Sequence, residues 1–158
     1  MMKYIQRSRA QIFLLLLSLL GAGIAIYLTS VHYEHVPLVC STSGVIDCAR
    51  VLSSPYSVIS GTTVPITIPG LGWCIVSAAL VITSWRLVSR RRWLSIAQFL
   101  WCLAGMLAVL YLVYVEIVLL HTFCAWCTAL HVVILLMFLI TIVQLQRSTE
   151  EELETVGD

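Results

Sequence analysis

Residues 94–120 read LSIAQFLWCLAGMLAVLYLVYVEIVLL, an apolar run with a single charged residue, Glu116. A helix rises about 1.5 Å per residue, so roughly 20 apolar residues cross the ~30 Å hydrocarbon core of a bilayer. Three further runs meet that length, at residues 10–30, 71–88 and 125–145. The sequence therefore predicts an all-α membrane protein, a bundle of four transmembrane helices.

The composition of the whole chain agrees with this prediction. Of its 158 residues, 60% are hydrophobic and 11% are charged, and the mean hydropathy is +0.99. Disordered and nucleic-acid-binding proteins need polar or basic surface that this composition does not supply. We expect one transmembrane redox domain at residues 1–149 and an acidic cytoplasmic tail at 150–158, where five of the eight acids lie.

The basic residues indicate the orientation in the membrane. They cluster before the first span, between the second and third, and after the fourth, as Lys3, Arg7, Arg9, Arg90, Arg91, Arg92 and Arg147. Because such residues favour the cytoplasmic side, both termini are expected inside. The loop at residues 31–70 and the turn at 121–124 then lie on the exported side. Apolar loop residues could form a short capping helix at the interface.

The first span has a second interpretation as a cleaved secretory signal. Three bases precede it, and small residues at 23–25 offer a cleavage site. Its apolar run is longer than the roughly 7–15 residues of a signal's hydrophobic region, which favours an uncleaved anchor.

Four of the six cysteines share the exported side in this topology. Cys40 and Cys48 lie in the long loop, and Cys124 and Cys127 lie at the start of the fourth span. Disulfides persist on that side of the membrane. The other two, Cys74 and Cys102, fall within spans at different depths, and we expect them to pack as small apolar residues without pairing.

Cys124-Ala125-Trp126-Cys127 is a C-x-x-C motif at the start of a predicted helix. Unpaired N–H groups and the helix dipole there stabilise a thiolate, which favours redox chemistry. Two other interpretations stay open. The pair could be a structural disulfide, although so short a loop constrains little of the unfolded chain. The four exported cysteines could instead bind zinc.

Cys40 and Cys48 enclose a short loop with Ser41, Ser43 and Gly44 that a disulfide could close. As a structural bond it would contribute roughly 2.5 kcal/mol in the chain-entropy model. With a second pair on the same side, the two pairs could instead form a relay by thiol–disulfide exchange.

A relay needs a final two-electron acceptor, and a membrane quinone fits because the sequence has no haem, flavin or iron–sulfur motif. We expect the ring beside Cys127. His131 follows one helical turn deeper, as a hydrogen-bond donor to the quinone or as a histidine bonded to a neighbouring hydroxyl. Glu116, His121 and Asp47 are weaker candidates, expected to be interface or loop charges.

The ordered motifs resemble those of the vitamin K epoxide reductases and their bacterial homologues, from the first span to the fourth. They are Cys40, the run CARVLSS at 48–54, the glycines at 70–72, and CAWC at 124–127. The resemblance implies a four-helix bundle around a bound quinone, with Cys124 and Cys127 as the active-site pair. It also implies that Cys40 and Cys48 receive electrons from a thioredoxin-like protein, and that Ser54 lies near the quinone. We add Trp126 to Ser54 and His131 as candidate quinone contacts.

Two differences favour the bacterial branch over epoxide reduction. Vertebrate members carry a tyrosine where this chain has His131, and an asparagine before the second span, whereas this chain has no asparagine. Residues 54–57, SPYS, also resemble bacterial members. The expectation is a bacterial plasma-membrane enzyme that reoxidises a separate exported thioredoxin-like protein and reduces menaquinone, ubiquinone or a similar quinone.

Three alternative functions stay open at this point. One is vitamin K epoxide or quinone reduction proper. Another is a claudin-like structural protein with a loop disulfide, although the Trp-Gly-Leu-Trp element of that class is missing. The third is a metal-binding membrane protein.

Overall fold

A computed structural model describes residues 2–34, 39–40, 44–59, 61–86 and 91–156. Its helices are α1 (Met2–Glu34), the short α2 (Cys48–Leu52), α3 (Thr67–Arg86), α4 (Arg91–Tyr114) and α5 (Ala125–Val156). A 3-10 turn at Pro55–Ser57 follows α2, and a π-helical segment, Val115–Leu120, extends α4. The described residues contain no strand, only two isolated β-bridges.

The four expected spans are confirmed. The segments Arg9–Glu34, Thr67–Arg86, Trp93–Leu120 and Ala125–Glu150 are each long and apolar enough to cross a membrane. The chain is thus a multi-pass membrane protein. Helix α5 continues beyond its span into the acidic residues and ends at Val156. That these residues form a cytoplasmic tail stays a prediction.

The helices form a ring in which α1 and α4 each pack against both α3 and α5. Buried apolar residues from all four long helices meet at its centre, namely Leu14, Val81, Cys102, Val133 and Met137. Many large apolar side chains are exposed on the outer surface, as lipid-facing residues of a membrane bundle are.

At some distance from the loop, glutamine side chains link α1, α4 and α5. The Gln11 amide on α1 donates to Gln144 on α5 at 3.0 Å and exchanges hydrogen bonds with Gln98 on α4 at 3.4 Å. Such bonds between helices satisfy polar groups that would be costly in hydrocarbon.

The expected capping helix is confirmed as α2 with its 3-10 turn. Asp47 is the N-cap of α2, because its carboxylate accepts the Arg50 N–H at 3.0 Å. Such a cap satisfies an otherwise unpaired N–H of the first turn. This part of the loop lies above the ends of α1, α4 and α5, with whose residues it lines a cavity. We call this end of the bundle the loop end.

Candidate active site

The C-x-x-C pair lies at the loop end, where α5 begins. Cys124 directly precedes the helix and is fully buried, Cys127 is half-buried, and both are free thiols. The Cys127 N–H points to the Cys124 sulfur at 3.3 Å. The pKa of Cys124 is lowered, chiefly by a hydrogen bond from the Cys127 side chain, although burial and the nearby Glu116 charge oppose the shift. Cys124 is thus prepared to act as a thiolate.

The loop pair is present as a disulfide between Cys40 and Cys48. Cys48 is the first residue of α2 and is fully buried, whereas Cys40 is partly exposed. Cys40 is therefore the more accessible residue of the pair.

Backbone hydrogen bonds connect the two cysteine pairs. The Asp47 N–H donates to the Phe123 carbonyl at 3.0 Å, and the Phe123 N–H donates to the Val45 carbonyl at 2.9 Å. The Thr122 hydroxyl donates to the same Val45 oxygen at 3.1 Å. This parallel β-bridge holds the residue before Cys48 against the residue before Cys124. The geometry suits thiol–disulfide exchange between the pairs.

A cavity of about 60 Å³ lies beneath the loop, between α1, α4 and α5. This volume is small beside the roughly 300–1,000 Å³ of small-molecule sites, so a ring that binds here has to displace part of the lining. Cys127, Ser54 and His131 all line it, together with apolar side chains such as Leu28 and Leu112. A flat apolar ring with two polar oxygens matches such a lining.

Trp126 is not among the residues that line this cavity, and its expected contact with a quinone stays a prediction. Its indole N–H donates to the Val39 carbonyl at 2.9 Å, and its ring lies against Tyr27 with centroids 4.8 Å apart. The helix start directs Cys127 into the cavity, and Trp126, one position earlier, points to the loop and α1. Trp126 thus helps to hold the loop.

His131 and Ser54 offer different polar groups to the cavity. Within the described part of the chain, the buried His131 ring makes no hydrogen bond to protein, so the bonded-histidine alternative has no partner there. Ser54 donates its hydroxyl proton to the Val51 carbonyl at 2.8 Å. Ser54 therefore presents lone pairs to the cavity, whereas the imidazole can donate or accept.

Glu116 is buried in the cavity wall, a position that the sequence did not predict. It was expected to be an interface charge, but it is 4% exposed and lines the cavity with Cys127. A single acid near the end of an apolar span was the available signal, because intramembrane carboxylates are rarely incidental. His32 on α1 also lines the cavity and was not singled out. Of the other weak candidates, Asp47 caps α2 and His121 is exposed.

The described residues contain no group of three or more His, Cys, Asp or Glu placed to hold a metal ion. The arrangement instead offers two cysteine pairs in series, the second beside an apolar cavity with polar groups. Once the loop pair is reduced to two thiols, this arrangement can pass two electrons from it, through Cys124 and Cys127, to a ring bound in the cavity.

Comparison with known proteins agrees with this chemistry. The family model described as the vitamin K epoxide reductase family matches residues 12–142, which include all four site cysteines. Comparison with the curated proteins finds no match. Because the family match covers most of the chain, this protein belongs to the vitamin K epoxide reductase family.

Proposed function

We propose that this protein is a membrane thiol:quinone oxidoreductase that reoxidises a separate, exported thioredoxin-like protein. Membership of the family points to a membrane oxidoreductase that works on thiols and quinones, and sets aside the claudin-like alternative. The observation that carries the proposal is the position of Cys127 in the wall of the cavity, with Cys124 tied to the loop pair behind it.

The electrons would pass through three exchanges. The partner dithiol first reduces the Cys40–Cys48 disulfide and leaves as a disulfide itself. The Cys48 thiolate then attacks the oxidised Cys124–Cys127 pair at the Cys124 sulfur, and the mixed disulfide resolves when Cys40 attacks Cys48. The two thiols at Cys124 and Cys127 finally give two electrons and two protons to the quinone and become a disulfide again. The two thiol–disulfide exchanges each break one S–S bond and form one. In the last step an S–S bond forms while the quinone gains two electrons and two protons, so the quinone is the oxidant and no other is required.

The placement of this reaction follows from the distribution of basic residues. We propose a bacterial plasma membrane, with both termini in the cytoplasm and the four cysteines on the exported side. A disulfide would persist there. Ubiquinone, menaquinone or a similar membrane quinone is the acceptor.

Purified protein tests this proposal directly. Given a reduced thioredoxin-like donor, it should reduce a short-chain quinone, and Cys124→Ser and Cys127→Ser should each abolish turnover. Cys74→Ser is the matched control, because this buried thiol lies on α3 and does not line the cavity. Turnover that survives Cys127→Ser would refute the assignment. Labelling of Cys40, the partly exposed cysteine of the loop pair, in reduced intact cells by an impermeant maleimide tests the orientation.

A further inference from the structure

Glu116 lies where a proton must move, on the assumption that the proposed quinone reduction takes place. When the pair reduces a quinone, one S–S bond forms between Cys124 and Cys127. The ring gains two electrons from the sulfurs and two protons, and becomes a hydroquinone. When Cys124 reacts as a thiolate, one of these protons comes from solvent. The other comes from the Cys127 thiol, which lines the cavity and needs an acceptor for its proton there.

The π-helical segment fixes Glu116 in the cavity wall. Its backbone carbonyl accepts the N–H groups of both His121 and Thr122, the latter at 3.1 Å, and His121 ends the segment in a left-handed conformation with φ 51°. A π-helical turn inserts extra backbone into a helix and often marks a functional site.

The carboxyl group of Glu116 also contacts the cysteine motif. The backbone N–H of Cys124 donates to it, and its charge acts on both the Cys124 and Cys127 thiols. One carboxyl group is therefore within electrostatic range of both sulfurs and borders the space that the quinone would occupy.

The other groups around the cavity leave Glu116 without a counter-charge. The described lining residues include no lysine or arginine, and the titratable ones besides Glu116 and Cys127 are His32 on α1, Tyr56 after α2, and His131 on α5. A buried carboxylate without a cation is costly, so it can take up a proton readily and release it again. A carboxylate held in a salt bridge would be a poorer proton carrier.

We propose that Glu116 carries the proton from Cys127 to the quinone. As a carboxylate it accepts the proton of the Cys127 thiol, and as a carboxylic acid it gives that proton to the nearer quinone oxygen. Glu116 returns to its starting state in each turnover, so no additional reactant is consumed.

The test is quinone reduction driven by dithiothreitol, which reduces the protein without the partner. Glu116→Gln should lower kcat about 100-fold, in the range of general acid–base catalysis, and change KM little. Glu116→Asp should retain part of the activity. Glu116→Ala should regain activity when formate is added, because a small acid can enter the space left by the side chain. A role in packing alone would not give rescue by formate.

The pH profile supplies a second readout. Wild-type turnover should fall as the pH drops and Glu116 becomes protonated. This decline should be missing in Glu116→Gln, in which the other titratable side chains that face the cavity, His32, Tyr56 and His131, are unchanged. Thermal unfolding and the Cys40–Cys48 disulfide are checked in every variant.

Two results would overturn the role of Glu116 while leaving the proposed function intact. One is a Glu116→Gln variant with wild-type kcat. The other is a slow Glu116→Ala variant that formate does not rescue while Glu116→Asp is equally slow. Wild-type protein that reduces no quinone would contradict the proposed function itself, and the role of Glu116 with it.

Discussion

The backbone N–H of Asp47 donates to the carbonyl oxygen of Phe123 at 3.0 Å, and this bond joins the residues that immediately precede Cys48 and Cys124. It ties the loop disulfide to the buried thiol of the C-x-x-C pair, although the two lie far apart in sequence. Because exchange requires one sulfur to approach another in a fixed orientation, we expect this bridge to favour reaction between Cys48 and Cys124.

After removal of Cys40 and Cys127, mild oxidation with diamide, which takes up the two electrons and two protons, should therefore link Cys48 to Cys124 in a disulfide. In the Cys40→Ser, Cys127→Ser double variant, neither resolving thiol is present to break that bond. Mass spectrometry of non-reduced peptides measures it. The matched control is Cys40→Ser with Cys124→Ser, in which Cys48 and Cys127 remain and the linked peptide should be scarce. Equal yields in both variants would show that the bridge does not select the pair.

Thr122→Val should weaken the connection between the loop and the C-x-x-C motif. It removes the hydrogen bond from the Thr122 hydroxyl to the Val45 carbonyl at almost constant volume. The loss of one hydrogen bond is about 1 kcal/mol, or roughly fivefold in a rate that depends on it. Turnover with the protein donor should fall by that factor. Thr83→Val is the control, because its exposed hydroxyl bonds only within α3, and an equal loss there would contradict the prediction.

Ser54 and His131 should differ in their effect on quinone affinity. The Ser54 hydroxyl already donates to Val51, whereas the His131 imidazole has both ring nitrogens available within the described structure. We expect His131→Phe to raise KM about tenfold, since a hydrogen bond is lost, and Ser54→Ala to raise it by less than about threefold. Steady-state kinetics with a short-chain quinone measures both. A larger increase in KM for Ser54→Ala than for His131→Phe would contradict this and would show that Ser54 makes the stronger hydrogen bond to the quinone.

The reduced protein should gain stability as the pH rises, because the pKa of Cys124 is lowered chiefly by the hydrogen bond from Cys127. A lowered pKa in the folded state contributes stability that is complete above the ordinary thiol value. That stability is lost as the pH falls through the lowered value. Cys127→Ala should raise the pKa of Cys124 and flatten this dependence. The unfolding temperatures of the reduced wild-type and Cys127→Ala proteins, measured across the pH range, test this prediction. If both depend on pH in the same way, the hydrogen bond from Cys127 is not the cause of the lowered pKa.

Gly105→Ala should destabilise the bundle. A Cβ at this position would meet the Trp73 ring at 2.6 Å, and Trp73 is held by reciprocal hydrogen bonds with Trp101. Overpacking of this kind costs about 1–3 kcal/mol. Gly72→Ala is the control, since a Cβ there meets no atom within 4 Å. Unfolding in detergent should separate the two variants, and similar stabilities would mean that the Trp73 ring can move aside.

The four spans were predictable because the hydrophobicity of a span is the sum of the contributions of its residues. Each apolar residue contributes to the same preference for lipid, so the four runs appear without knowledge of their neighbours. The C-x-x-C motif was equally accessible, because its reactivity depends on a local helix start. Cys74 and Cys102 are free and buried, which confirms that they do not pair with each other.

The contacts between distant segments were not predictable. The bridge between Ile46 and Phe123 depends on how the loop folds over the helix ends, and no local pattern specifies it. Trp126 was assigned to the quinone from its place in the motif, but helix direction turns it toward Tyr27. Glu116 was expected at the interface, but it lines the cavity. Whether a single acid in a span faces the site or the interface depends on the rotation of the helix about its axis, which the sequence does not specify.

One measurement tests the proposed relay most directly. Fully reduced protein is mixed with one equivalent of quinone in the absence of oxygen, and hydroquinone and free thiols are counted together. We predict one hydroquinone formed and two thiols lost, with the new disulfide at Cys124–Cys127 or, after exchange, at Cys40–Cys48. A quinone that stays oxidised while all four thiols remain free would contradict electron transfer from this cysteine pair to a quinone.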